Sequence, residues 1–190
     1  MVIWEVSEFD PEFEQTPAQR DAADELEASC LAAARKNDWF DFQRGLDDGY
    51  KLLPGDRRHY YNEEFLFDDR QLDCERPEFL MYYGTPKGKI LTGMMFYVSD
   101  PDGHGPQVGG PETLWHFHVW NQEMCLRDGL LILSQAQDRH CPKGEPSFRS
   151  PEMLHVWLLD HPNGRFATTM WLTREQLEDT LVKREAEATR

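Results

Sequence analysis

The sequence predicts an α+β protein, with helices at both ends around a mainly antiparallel β-sheet or barrel. Three observations predict it. Thr16-Pro17-Ala18-Gln19 carries a helix start: Thr as cap, Pro at the first position and Gln closing a capping box. From Phe79 to Trp171 the chain turns to aromatic and branched runs punctuated by Gly and Pro, as strands and turns require. Thr173-Arg174-Glu175-Gln176 then repeats the capping signature and restarts a helix.

In the first helix, Ala22/Ala23, Leu26, Cys30 and Ala33/Ala34 recur at helical spacing, so the helix is expected to run to about Lys36. Asp38 is expected to cap a shorter helix whose Trp39, Phe42 and Leu46 share a face, ending at Gly49. Residues 51–78 show no sustained period and read as a long ordered loop. Phe79–Tyr83 and Ile90–Val98 read as a hairpin about the turn Thr85-Pro86-Lys87-Gly88. A Gly/Pro-rich loop over 100–110 follows, and could shape a pocket mouth. Strands are expected at Thr113–Trp120, Gly129–Leu133 and Met153–Leu159, with a weaker one at Phe166–Trp171. Leu177 and Leu181 stand one turn apart on the last helix.

A length of 190 residues fits one domain, 1–190. Its net charge of −15 is unevenly placed: −12 over residues 1–78, −2 over 79–171 and −1 over 172–190. The acidic first part reads as a solvated surface. That charge opposes nucleic-acid binding, which needs Lys and Arg to displace counterions. No apolar run reaches the roughly 18 residues of a membrane span, and the start lacks a basic region followed by an apolar one. The expected location is cytoplasmic, with no membrane and no nucleic acid as partner. Cys30, Cys74, Cys125 and Cys141 form no C-x-x-C pair, and in that compartment they are expected to be buried, reduced thiols.

The chemistry concentrates in Leu114-Trp115-His116-Phe117-His118-Val119-Trp120. Residues two apart on a strand share a face, so His116 and His118 point the same way, with Leu114 and Trp120 beside them. Met153-Leu154-His155-Val156-Trp157 is a second apolar strand with a histidine at its centre. Placed as neighbours, the two strands bring three imidazoles together, a donor set that suits Fe, Cu, Zn or Ni. A fourth ligand is available from His59, in Arg57-Arg58-His59-Tyr60-Tyr61, or from Glu123, five residues after His118. Cys125 and Cys141 are further candidates as thiolates. His104, His140 and His161 lie in Gly/Pro-rich loops and are expected to touch solvent.

Gly110, five residues, His116-x-His118, four residues, Glu123, five residues and Gly129 resemble the first cupin motif, one residue short in the last spacing. Pro142-Lys143-Gly144 is similar to the opening of the second motif, without its closely following His. The resemblance covers about 20 residues, by the motif spacing just given. It implies a small β-barrel gripping one divalent metal, as in dioxygenases, isomerases and plain binding proteins, with Glu123 among the ligands.

The function expected is a metal-dependent oxidoreductase or oxygenase. It would act on a small organic molecule through one divalent transition metal held by His116, His118 and His155, with His59 or Glu123 as the candidate fourth ligand. The alternatives are a non-enzymatic metal sensor, store or carrier, and an acidic interaction module with structural histidines. The sequence names no general acid or base and leaves self-association open.

Overall fold

The computed structural model describes residues 2–6, 14–98, 100, 103–137 and 140–188. Its elements in chain order are β1 (Val2–Val6), α1 (Pro17–Lys36), α2 (Phe42–Asp47), β2 (Lys51–Leu52), β3 (His59–Tyr61) and α3 (Glu63–Leu66). They continue with β4 (Phe79–Thr85), β5 (Gly88–Tyr97), β6 (His116–Arg127), β7 (Leu131–Gln135), β8 (Glu145–Arg149), β9 (Met153–Trp157) and α4 (Arg174–Ala188). The nine strands form one sheet in the order β1-β6-β9-β5-β4-β3-β2, with β7 and β8 also pairing β6. Every pairing is antiparallel, and the sheet curls into a half-barrel.

The α+β expectation holds, and the helix starts are as read. Thr16 and Gln19 close a reciprocal capping box on α1. Thr173 and Gln176 do the same for α4. The hairpin of β4 and β5 turns at Thr85–Gly88 as expected.

Other elements differ. The second helix is capped by Asp41, whose side chain accepts from Gln43 N, while Asp38 adopts a left-handed turn at φ 58°. The stretch 51–78 is not a plain loop: it contributes β2, β3 and α3, too short to show a period. Residues 166–171 form no strand, because the carbonyls of Ala167 and Met170 accept side-chain hydrogen bonds instead of a ladder. β8, which carries Pro146, and β1 carry no strong sequence signal, yet both pair with β6.

The central strands are buried on both faces. Leu80, Tyr82, Leu91, Met94, Phe96, Leu154 and Val156 pack outward on Ala23, Cys30, Ala33 and Ala34 of α1. Those small residues let the helix lie close to the sheet. Phe79, Met81, Tyr83, Met95, Tyr97, Met153 and Trp157 face the inside of the curl, covered by Leu130, Leu131, Ala167 and Leu177. Trp115 belongs to the outer cluster, and Gly105 lies so close that a Cβ there would collide with its ring. The described part of the 100–110 loop thus packs on Trp115, on the face opposite His116; residues 101 and 102 lie outside the described residues.

The cysteines are not free. Cys30 bonds to Cys74 and Cys125 to Cys141. The helical stripe puts Cys30 in the core as expected, but the partner that meets it there is the 68–76 segment running over α1. The second bridge ties the far half of β6 to the turn before β8. Among the described residues no helix is long and apolar enough to cross a membrane.

Two outcomes follow from this packing. Thiol titration of the denatured, unreduced protein should find no free thiol, and replacing Cys30 and Cys74 together by Ser should cost about 2–4 kcal/mol in urea unfolding. Glu78 is buried, its Oε2 has no hydrogen-bond partner among the described residues, and burial pushes its carboxyl well above the ordinary range. A raised folded pKa means stability present in acid and lost as pH rises through that value. Glu78→Gln should therefore stabilise the protein at pH 8, by about 1–3 kcal/mol, and give no gain near pH 4.

Candidate metal centre

The inner face gathers four histidines from three strands. β9 pairs with β5 along its length, and its Met153 stands opposite His116 of β6. His155 thereby lies beside the β6 pair: its ring is 4.7 Å from that of His116, and His116 is 6.2 Å from His118, centroid to centroid. On the other side, β3 brings His59 to within 5.8 Å of His155, nearly stacked. The shared parity of residues 116, 118 and 155 is as expected, and His59 joins them. His116 and His155 are each 1% exposed and His59 7%.

Three of the rings are held by a protein oxygen at Nδ1. His155 Nδ1 lies 3.1 Å from the Ala167 carbonyl, and His116 Nδ1 lies 3.2 Å from that of Leu114. His59 Nδ1 lies 3.0 Å from Asp56 Oδ2. A carbonyl can only accept, so Nδ1 carries the proton in His116 and His155, and Nε2 keeps its lone pair. Asp56 also accepts from the backbone N–H groups of Arg57, Arg58 and His59, forming the turn that enters β3. Burial alone would raise its carboxyl, but the bonds from His59 and from backbone N–H groups hold it well below the usual range. The Nε2 atoms of His59 and His155 are buried with no hydrogen-bond partner among the described residues.

Burial keeps the rings of His116, His118 and His155 neutral. Burial pushes His116 down to about 4, against the lesser pull of the Leu114 carbonyl. Burial, then the neighbouring His116, pushes His118 down to about 4. His155 is driven well below the ordinary value by burial and by His116 and His59. Neutral imidazole is the form that binds a metal.

The remaining candidates are placed elsewhere. Glu123 lies in the far half of β6, inside the register shift between Val119 and Met124 and next to the stretch that pairs with β7 and β8. Cys125 and Cys141 are joined to each other and offer no thiolate. His104 and His140 are exposed as expected, His104 pairing with buried Glu152. His161 departs from expectation: it is buried and stacked on Trp157 at 4.5 Å. Asp56 and the Ala167 carbonyl escaped sequence reasoning. Asp56, three residues before His59 in a Gly-Asp turn, carried the only local signal.

Among the described residues no three His, Cys, Asp or Glu side chains already stand in metal-holding geometry. Three of the ring spacings, 4.7, 5.8 and 6.2 Å, can be set against those of rings that share an ion. With metal–nitrogen bonds of about 2.0–2.1 Å, imidazoles around one ion have centroids roughly 4.5–6.5 Å apart. Comparison with known protein families, curated proteins and solved structures finds no match to this chain.

Histidines whose folded pKa is depressed leave the unfolded state binding more protons, so stability is lost as pH falls from 6.5 toward 4. Chelator-stripped protein should lose on the order of 3 kcal/mol for buried His116 across that window. Urea midpoints measured at steps through it check this.

Proposed function

We propose that His59, His116, His118 and His155 hold one divalent transition metal, and that the protein uses it as an oxidoreductase on a small organic molecule. One observation carries the reading. The Nε2 atoms of His59 and His155 are buried inside the curl without a hydrogen-bond partner among the described residues, while Nδ1 of each is engaged by a protein oxygen. Leaving such nitrogens unpaired costs free energy, and that locked-ring pattern is the one metal-ligating histidines display. Small rotations of rings on a fixed sheet would close the set on one ion.

Bound there, such a metal supplies Lewis acidity or one-electron chemistry. The chain itself supplies ring orientation, through Asp56 and the Ala167 carbonyl, and a wall of Phe79, Tyr97 and Trp157 that excludes water. The cupin resemblance would add Glu123 as a ligand; the placement of Glu123 on β6 favours the four imidazoles instead. The two disulfides favour an oxidising compartment over the cytoplasm. A second reading, a protein that stores or carries the metal without catalysis, is favoured by the near-complete burial of His116 and His155.

Elemental analysis of untagged protein should find one metal per chain. His59→Gln and His155→Gln should reduce it to a trace while circular dichroism stays unchanged. Full metal content in both variants would overturn the reading. On protein loaded with Cu(II), azide should change the electronic spectrum if a position is open to substrate. A spectrum indifferent to azide selects the storage reading.

A further inference from the structure

Resting on that metal reading, we propose that the site is built for copper, with Met81, Met95 and Met153 as thioether donors that favour the cuprous ion.

The pairing register carries the argument. His59 stands opposite Met81 across β3 and β4. His155 stands opposite Met95 across β9 and β5. His116 stands opposite Met153 across β6 and β9. Residues opposed in an antiparallel pair project from the same face and are near neighbours, so each of these imidazoles has a methionine side chain beside it. All three methionines are at most 2% exposed and belong to the inner cluster.

Filling a core does not account for this choice. On the outer face of the same three strands β4, β5 and β9, the aliphatic positions are Leu80, Leu91, Leu154 and Val156, with Met94 as the one methionine. On the inner face they are Ile90 and the three methionines. Gly93 adds to the contrast. It opposes both Met81 and Trp157, and a Cβ there would come within 2.5 Å of the Met81 methyl, so its missing side chain is what lets the thioether lie across the sheet.

The donor chemistry then discriminates among metals. Both disulfides are closed and no cysteine is free, so the sulfur offered to an ion is thioether. Imidazole serves zinc, iron, nickel and copper alike, whereas soft thioether selects Cu(I). A mixed set of imidazoles and thioethers accommodates copper in both oxidation states, with sulfur engaged more strongly in the reduced one.

The test uses the full chain with disulfides intact. Cu(I) is titrated anaerobically against the chromophoric chelator bicinchoninate, Zn(II) is titrated in parallel, and X-ray absorption is recorded on the Cu(I)-loaded protein. Sulfur scattering beside nitrogen is expected in the wild type, a readout that depends on no variant. Met95→Leu combined with Met153→Leu keeps the volume of both side chains. It should weaken Cu(I) by about tenfold or more and leave Zn(II) within about twofold, on the scale of lost ligand-shell interactions. Cu(I) binding through nitrogen alone, unmoved by the double substitution, overturns the thioether assignment and leaves the histidine site standing. Failure of both metals to bind the wild type overturns the metal reading itself.

Discussion

The position of β9 between β5 and β6 governs everything that the inner face does. It is short, Met153 to Trp157, yet it hydrogen-bonds along its full length to β5 and meets β6 at a single pair, Met153 with His116. Because side chains alternate strictly along a strand, that register decides which face each histidine occupies. A slip of one residue would turn His155 toward α1 and bring Leu154 and Val156 inside. The chain beyond β9 then folds back, and the Ala167 carbonyl accepts from both His155 Nδ1 and Trp157 Nε1. One oxygen therefore orients a ligand candidate and the aromatic wall beside it. Asp56 plays the same part at the opposite side of the cluster, where it shapes the backbone turn before β3 and steadies His59.

What could be read in the sequence is what short-range periodicity encodes. Capping boxes at Thr16 and Thr173, the β4–β5 hairpin and the common parity of residues 116, 118 and 155 each involve residues a few positions apart, and each holds. What escaped depends on contacts distant in the chain. β1 is a strand because β6 lends it a ladder, and β8 tolerates Pro146 at the sheet's margin. Residues 166–171 have strand-like composition, but side chains of His155, Trp157, Tyr83 and Arg58 claim their carbonyls. The cysteines show the same division. Helical spacing places Cys30 in the core, while its bond to Cys74 depends on how the 68–76 segment crosses α1.

The disposition of buried polar groups separates architecture from the candidate site. Thr92 donates to the Met81 carbonyl, Ser150 links the β6 and β9 segments, and Asn62 caps α3 while its amide reaches Asp48. Buried Glu152 accepts from His104 and from Gly105 N. Those groups are answered within the protein, as stable folds require. The inner face is different. It combines imidazoles kept neutral by burial with Nε2 atoms of His59 and His155 that no neighbour answers, among the described residues.

Such a concentration opposes folding in the metal-free chain, since apolar side chains of similar size would pack there without that desolvation. A sequence that answers Thr92, Asn62, Ser150 and Glu152 within the protein, and adds two disulfides, retains this arrangement at the centre of its sheet. Local rules are broken in natural proteins chiefly where function asks for it. An ion shared by the rings would convert the least favourable part of the core into a cross-link between β3, β6 and β9. Folding and metal affinity would then be two aspects of one equilibrium, in which the fold holds the donors near one another and the ion rewards that proximity.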